Sequence, residues 1–269
     1  MRDNVYGSID QDAQRRDFTI NALYYDPIDR VLLDFTSGFQ DLRKSLLRMI
    51  GKAAVRYRED PVRMLRAIRF AAKLDMDIDA TTQTPIFRLG NLLSHISPSR
   101  RFDELLKLFH GGSAAKTLPL LKEYDLLQYL LPLTNEALDE DDPQIRRLLA
   151  LAVQDTDQRI KQKKTVAIPF LFAFLLWPTV DRQQAALIHQ SDINPAQALR
   201  HACHEVLKQQ TNTTNIPKFL RRAIYDIWML QPHLEQRRIS RARQIVNRHR
   251  FRAALDLLIL RGRAGNKKL

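Results

Sequence analysis

Apolar residues recur at helical spacing from Gly38 almost to the end of this 269-residue chain, and only two short strand-like segments precede them. A glycine pair and several prolines divide the helical part at loop-like intervals: Gly111-Gly112, Pro132, Pro143, Pro178, Pro195 and Pro217. Two short strands cannot form an independent sheet. The sequence therefore predicts a mainly α fold, a multi-helix array with a short β-hairpin near its N-terminus.

The first fifty residues predict a small mixed segment. Residues 15–22 are expected to form a short helix, because Asp17, Thr19 and Asn21 are favourable near a helix end. The runs 23–25 and 31–35 flank an Asp-Pro-Ile-Asp turn and predict a hairpin. Further along, Asp60 is expected to cap a helix that starts at Pro61. The apolar face of that helix is predicted to hold Met64, Leu65, Ile68, Ala71 and Ala72.

The net charge of +13 is concentrated at the C-terminus. From Lys218 onward there are fourteen Lys or Arg residues against three Asp or Glu residues. Two helices are predicted there, 217–229 and 238–261, and an excess of this kind favours a polyanion such as RNA as the partner. The expected RNA-binding residues are Arg237, Arg238, Arg241, Arg243, Arg248, Arg250 and Arg252. The alternative is an inert charged helix face.

The chain is expected to be a soluble, cytoplasmic protein without a membrane partner. Its one cysteine, Cys203, excludes an intrachain disulfide and fits a reducing compartment. No apolar signal region follows Met1, and the longest apolar run, 167–180, is shorter than the roughly twenty residues of a membrane span.

The octapeptide Arg-Arg-Asp-Phe-Thr-Ile-Asn-Ala at 15–22 and the segment 58–63 together suggest half of a nucleotide site. Arginines can hold a triphosphate, and Asp17 and Asn21 can bond a ribose. A carboxylate one turn from Arg63 can read the edge of adenine. The expected nucleotide-binding residues are Arg15, Arg16, Asp17, Asn21, Arg58, Glu59, Asp60 and Arg63. Taken singly, each motif is more readily explained as a solvated charge cluster or a capped helix with a local salt bridge, and only the combination of the two favours a nucleotide site.

The sequence predicts no catalytic carboxylate set and no metal site in this chain. Residues 75–79 alternate Asp with apolar residues as a metal-binding strand would, but they follow a helix and are expected to be a solvated helix exit. The motif 201–204, His-Ala-Cys-His, lacks the second ligand pair of a zinc site and is expected inside a helix. Residues 140–142 are expected to be a loop ending in an N-cap.

Four segments resemble, in order, successive motifs of the class II nucleotidyltransferases, the family of bacterial poly(A) polymerases and CCA-adding enzymes. They are residues 15–22, 34–42, 56–67 and 99–108. Residues 216–218 and 247–258 resemble the C-terminal region of the poly(A) polymerase branch. Ser37 departs from the family, which commonly has Gly there.

The resemblance implies a head remnant at 1–50, neck helices at 51–112, a helical body at 113–215 and a basic RNA-binding tail at 216–269. In the family, Arg16, Asp17 and Asn21 would contact ribose and triphosphate, and Glu59, Asp60 and Arg63 would read the base. Arg100, Glu104 and Lys107 would stabilise the neck helices. A Gly-rich turn and an Asp-x-Asp pair precede the octapeptide in the family, so the chain is expected to be a fragment whose catalytic residues lie upstream of Met1.

The implied partners are ATP, as the substrate, and RNA 3' ends, with Mg2+ acting in the full-length enzyme. Three hypotheses remain open: part of a poly(A) polymerase that is inactive by itself, part of a CCA-adding enzyme, and a non-catalytic helical RNA-binding module.

Overall fold

A computed structural model describes residues 7–190, 193–236 and 245–265. The chain divides into two compact units, Met1–Ile96 with Glu123–Leu126, and Ser97–Lys122 with Leu127–Leu269. Within the described ranges the fold is mainly α, as predicted, with two sheets of two strands each. None of the helices in these ranges is long and apolar enough to cross a membrane.

The first unit carries both sheets. Its helices are α1 Ile9–Arg15, α2 Gly38–Arg43, α3 Ala53–Glu59, α4 Val62–Leu74 and α5 Ala80–Leu89, with 3-10 turns at Thr19–Asn21 and Gly90–His95. Its strands are β1 Leu23–Asp26, β2 Val31–Asp34, β3 Leu46–Leu47 and β4 Asp77–Ile78. Strands β1 and β2 pair antiparallel, from Leu23 opposite Asp34 to Asp26 opposite Val31, which confirms the predicted hairpin.

The predicted helix over residues 15–22 is wrong. Helix α1 ends at Arg15, and the chain then runs extended through Phe18, which bridges antiparallel to Met49. The Ile50 N–H donates to the Asp17 carbonyl at 2.9 Å. Phe18 is fully buried, with its ring 5.6 Å edge-on from Phe70. A backbone partner some thirty residues away thus outweighs the local helix propensity of the octapeptide.

The helix predicted from Pro61 begins one residue later, at Val62, and Asp60 accepts from the Val62 N–H at 3.3 Å. Its predicted apolar face is confirmed: the five named residues on it are at most 4% exposed. After α4 the predicted helix exit contains a short strand, because β4 pairs parallel with β3 while Met76 is buried. Asp79 then caps α5 by accepting from the Thr81 N–H.

The described residues of the second unit form helices and no strands. The helices are α6 Pro98–Phe109, α7 Ala114–Glu123, α8 Pro132–Asp139, α9 Pro143–Lys161, α10 Ile168–Gln190, α11 Pro195–Thr214, α12 Lys218–Met229, α13 Gln231–Glu235 and α14 Phe251–Arg263, with a 3-10 turn at Leu127–Tyr129. Residues 171–180 of α10 are buried and form the centre of its core. The Trp228 indole N–H donates to the Ala173 carbonyl at 3.0 Å, which fixes α12 against α10.

Several local predictions for the second unit are confirmed, and one is wrong. Asp142 caps α9, and residues 201–204 lie inside α11, where burial raises the pKa of the Cys203 thiol to about 12. The helix predicted over 238–261 is interrupted: residues 247–250 form turns, and α14 begins only at Phe251. Arg250 has a φ of +72°, a left-handed conformation that ends helical continuity.

Replacing Ser37 by glycine is expected to stabilise the first unit. Ser37 precedes α2 with φ +63° and ψ +27°, a left-handed conformation that disfavours residues bearing a Cβ. Removing the Cβ is expected to raise the free energy of unfolding by about 1 kcal/mol. Urea unfolding of Ser37→Gly beside wild type measures it, and a lower stability in the variant would contradict the backbone argument.

Candidate functional site

A buried carboxylate, Asp17, joins the octapeptide to helices α3 and α4. Its side chain is 8% exposed, and its Oδ1 accepts from Arg63 Nε at 3.0 Å. Its Oδ2 lies 2.6 Å from Arg66 Nη2, and Arg56 Nη2 lies 3.9 Å from Oδ1. Three guanidinium groups from two helices are therefore organised around one acid. We call Asp17, Arg56, Glu59, Arg63 and Arg66 the arginine cluster.

Arg63 is the most constrained member of the cluster. Besides Asp17, it donates through Nη1 to Glu59 Oε2 at 2.8 Å and to the Arg56 carbonyl at 2.9 Å. The Glu59 side chain is half exposed and also accepts from Arg56 Nη1 at 3.2 Å. Asp17 from the interior and Glu59 from the surface thus fix the plane of the Arg63 guanidinium. An Arg fixed in this way is suited to present its remaining donors to a planar ligand.

Arg56 ties the end of α1 to the cluster. Its Nη2 donates to the carbonyls of Arg15 and Arg16, both at 2.9 Å. These two carbonyls lie at the C-terminal end of α1, where helices leave acceptors unsatisfied. Arg56 therefore determines where the octapeptide leaves α1.

Arg16 lies at the edge of the cluster and pairs with Asp12. Its Nη2 is 2.8 Å from the Asp12 carboxylate, which also accepts from the Tyr24 hydroxyl at 2.6 Å. The hydrogen bond to Asp12 raises the pKa of Arg16, while the hydrogen bonds from Tyr24 and then Arg16 lower the pKa of Asp12. About half of the Arg16 side chain is exposed and accessible to an anion.

The structure brings three of the eight predicted nucleotide-binding residues together and leaves the others apart from them. Asp17, Glu59 and Arg63 come together, whereas Arg15 and Arg58 lie exposed, and Arg58 donates back to the Ala54 carbonyl. Asn21 is half-buried in the 3-10 turn, and Asp60 lies between α3 and α4.

The prediction overlooked Arg56 and Arg66. Their spacing gave a usable signal, since positions 56, 59, 63 and 66 recur at three- and four-residue intervals.

The end of β2, the loop after it and helix α2 together pack against the octapeptide and hold it in place. The Thr19 hydroxyl donates to Asp41 Oδ2 at 2.8 Å, and Asp41 is paired in turn with Arg48 at 3.1 Å. The Asp34 carboxylate accepts from the backbone N–H groups of Thr36, Gly38 and Phe39 at 3.1, 2.9 and 3.0 Å. Burial opposes ionisation of Asp34, but these backbone donors outweigh it and lower its pKa.

Asp34→Asn is expected to lower the free energy of unfolding at pH 7 by about 2 kcal/mol, because the ionised acceptor of three backbone donors is lost. The folded pKa of Asp34 lies below its ordinary 3.8. The stabilisation by the ionised Asp34 is therefore complete above the ordinary pKa of 3.8 and disappears as pH falls through the lower, folded pKa. Urea unfolding of both proteins between pH 7 and 2.5 checks this. A difference that stays constant down to pH 2.5 would contradict it.

Basic residues of the tail surround a separate cavity in the second unit. Arg248, Arg250 and Arg252 line a space of about 460 Å³ together with Arg159 of α9. Arg252 is 83% exposed and lies 3.3 Å from Asp256. The other four predicted RNA-binding residues, Arg237, Arg238, Arg241 and Arg243, lie outside the described residues.

The described residues do not provide a site for Mg2+. Nowhere in these ranges do three or more His, Cys, Asp or Glu side chains form a group that could hold a metal ion. The carboxylates of the arginine cluster face guanidinium groups, which is unsuitable for a divalent cation.

Three family models match successive parts of the chain. "Poly A polymerase head domain" matches residues 2–48, "Probable RNA and SrmB- binding site of polymerase A" matches 75–138, and "Polymerase A arginine-rich C-terminus" matches 191–269. The head match contains the octapeptide, and the C-terminal match contains the basic tail.

Curated relatives give the same result. Poly(A) polymerase I of Salmonella typhimurium is 42% identical over 99% of this chain, which covers 57% of that protein. The Haemophilus influenzae protein of that name is 42% identical over 97% of the chain, covering 58% of it. The CCA-adding enzyme of Geobacillus stearothermophilus is 40% identical, but over only 46% of the chain and 30% of its own length. The chain thus spans a little over half the length of the poly(A) polymerases it matches.

Solved structures share the fold. One is the crystal structure of the Bacillus stearothermophilus CCA-adding enzyme in complex with CTP. It aligns with 96% of this chain and 55% of the length of its own chain, with a TM-score of 0.59 at 26% sequence identity. Another CCA-adding enzyme, an apo form, matches 94% of the chain and 56% of its own with a TM-score of 0.64 at 22% identity. With three consecutive polymerase A matches and 42% identity along nearly all its residues, the chain is similar to a little over half of a poly(A) polymerase.

Proposed function

We propose that this chain forms the nucleotide-selecting and RNA-holding part of a poly(A) polymerase, an enzyme that adds AMP from ATP to RNA 3' ends without a template. The observation that carries the proposal is the 3.0 Å contact between Asp17 and Arg63. It joins two motifs 46 residues apart that resemble the ribose-binding and base-reading segments of the family. A merely solvated charge cluster has no need for a buried carboxylate at its centre.

Each part of the cluster has a proposed role. Arg63, held by Asp17, donates to a ring nitrogen of adenine, and a carboxylate of Glu59 or Asp60 accepts from its exocyclic amine. Arg15 and Arg16, both exposed, attract the triphosphate, with Arg58 adding positive charge nearby. Asn21 and the polar groups around Asp17 contact the ribose.

In the proposed reaction, the RNA 3'-hydroxyl releases its proton to solvent water, and its oxygen bonds to the α-phosphorus of ATP. The bond from that phosphorus to the pyrophosphate oxygen breaks, and pyrophosphate leaves with the electron pair. This chain would hold the two reactants in register for that displacement. The described residues do not form a site that fits Mg2+. We therefore expect the chain alone to bind RNA without extending it. The metal-binding carboxylates are expected in the rest of a full-length cytoplasmic enzyme.

A CCA-adding enzyme is the second candidate, supported by the matched structures and by 40% identity over the segment shared with the Geobacillus enzyme. The Salmonella poly(A) polymerase matches 99% of the chain at 42% identity, against 46% at 40% for the Geobacillus enzyme and 72% at 35% for the CCA-adding enzyme of Bacillus licheniformis. The full extent of that match, including the arginine-rich tail, favours adenylation.

The test is RNA 3' extension with Mg2+ and either ATP or CTP. It compares this chain with the same chain joined at its N-terminus to the head domain of a poly(A) polymerase relative. We expect long A-tracts from the joined protein and RNA binding alone from this chain. Products that end after C, C and A on tRNA would establish the second candidate. A joined protein that binds RNA and extends nothing would favour a non-catalytic RNA-binding module.

A further inference from the structure

A groove between α11 and α12 is lined by none of the seven arginines predicted above to bind RNA. Its volume is about 690 Å³, within the roughly 300–1,000 Å³ common for ligand sites. Four cationic side chains line it, against two carboxylates: Lys208, Lys218, Arg221 and Arg222, with Glu205 and Asp226. We call this space the α11–α12 groove.

The two carboxylates compensate the positive charge only weakly. Lys208 lies 4.0 Å from Glu205 and Arg222 lies 3.7 Å from Asp226, and the Lys208 and Arg222 side chains are 72% and 82% exposed. Pairs this long and this exposed contribute little, so both cations remain available to a ligand. The groove therefore keeps a positive potential that its own acids do not remove.

The first turn of α12 increases that potential. Lys218 and Arg221 lie at the N-terminal end of the helix, where the helix dipole is already positive. The turn has no acidic residue, and Pro217 provides no side-chain cap. Cations at this end disfavour folding, and a bound anion reverses that effect. In addition, the Nε of Arg221 is buried and has no hydrogen-bond partner among the described residues.

Aromatic side chains lie beside the cations. The rings of His204 and Tyr225 line the groove wall, with their centroids 5.2 Å apart. Cations that track phosphates, together with aromatic faces on which bases stack, are the combination that binds single-stranded nucleic acid. An acidic peptide would use the cations but would leave the aromatic faces unoccupied.

We propose that the α11–α12 groove binds the phosphodiester backbone of single-stranded RNA, with a base stacked on Tyr225. The inference rests on the proposed function, which makes RNA the substrate. It adds a binding surface upstream of the arginines predicted from the sequence, since Lys218, Arg221 and Arg222 precede residue 237.

The test is binding of a fluorescein-labelled oligoadenylate to this chain, followed by anisotropy at several salt concentrations. Lys218→Gln/Arg221→Gln is expected to weaken binding at least tenfold at 0.15 M salt. It should also reduce the slope of log K against log salt by about 1.4, since each lost phosphate contact removes about 0.7. The matched control, Arg147→Gln/Arg200→Gln, removes two exposed cations outside the groove and should bind as wild type does. Thermal unfolding of each variant confirms its fold.

A second measurement places the RNA. Trp177 and Trp228 are buried, so Tyr225→Trp supplies an indole in the groove wall, and its fluorescence should be quenched with the same midpoint as the anisotropy. Unchanged affinity and salt slope in the groove variant would overturn the inference, as would an absence of RNA binding by wild type. Loss of binding to a polyglutamate peptide with RNA affinity intact would also overturn it, in favour of an acidic protein.

The outcomes separate this inference from the proposed function. A failed extension assay beside a weakened groove variant would remove the polymerase assignment and leave the RNA groove. Successful A-tract synthesis together with normal RNA binding by the groove variant would support the polymerase assignment and overturn the RNA groove.

Discussion

Asp17→Asn is expected to lower the free energy of unfolding of the first unit by about 3 kcal/mol, because removing one partner leaves other buried charges uncompensated. Arg63 loses most, because its side chain is 16% exposed and lies 3.0 Å from Asp17. Arg56 is 17% exposed but lies 3.9 Å from Asp17 and keeps its bonds to Glu59 and to two backbone carbonyls. Arg66 is 38% exposed and can recover hydration, so it adds little. An asparagine fits the space but brings no charge.

Hydrogen exchange of peptides from α3 and α4 under increasing urea measures this effect. Both tryptophans of the chain, Trp177 and Trp228, lie in the second unit, so their fluorescence reports a transition that the substitution should not move. The matched control is Glu59→Ala, which removes a half-exposed carboxylate from the same two arginines and should change stability by less than about 1 kcal/mol. Equal effects of the two substitutions would show that Asp17 is no more than a surface partner.

Gly38→Ala is expected to destabilise the first unit by about 3 kcal/mol through overpacking. A Cβ at Gly38 would lie 2.1 Å from the Thr19 carbonyl oxygen and 2.7 Å from its carbon. Both are backbone atoms of the 3-10 turn that follows the octapeptide, so no side chain can rotate away. The turn or the start of α2 must move, and the bond from the Thr19 hydroxyl to Asp41 is then lost.

Gly51→Ala is the control for the glycine substitution. Gly51 has a φ of +78° with open space around its Cβ position, so only backbone strain of about 1 kcal/mol applies. Urea unfolding followed by circular dichroism compares the two variants. A Gly38→Ala protein as stable as Gly51→Ala would mean that the contact between α2 and the octapeptide is looser than the structure describes.

Sequence patterns predicted the parts of the fold that depend on neighbouring residues. The apolar face of α4 follows from a helical repeat, and the hairpin follows from an Asp-Pro turn between two β-prone runs. The octapeptide was predicted wrongly as a helix because its backbone partners are Arg48 and Ile50, which no local rule can identify. The tail helix was predicted too long because the left-handed Arg250 has no sequence signal.

In the candidate site too, local motifs were predictable from the sequence and long-range contacts were not. Asp17 and Arg63 could be named from their motifs, but their contact joins residues 46 apart and depends on how α4 packs beside the extended octapeptide. A local pair between Asp60 and Arg63 was the simplest alternative, yet Arg63 is oriented by Asp17 and Glu59. Arg56 and Arg66 gain their roles only from that packing.

The most direct test of the central claim, that the arginine cluster and the adjacent Asp60 select the base, is the ratio of kcat/KM for ATP to kcat/KM for GTP. Guanine presents an acceptor and a ring N–H where adenine presents an exocyclic amine and a ring acceptor. The ratio is measured in the protein joined to a head domain, as wild type and with Glu59→Ala or Asp60→Ala. We expect it to fall at least about tenfold in the variant that loses the base-reading carboxylate, the value of one hydrogen bond to a charged group, while RNA affinity stays at the wild-type value. An unchanged ratio in both variants would show that the cluster is structural and that base selection takes place elsewhere.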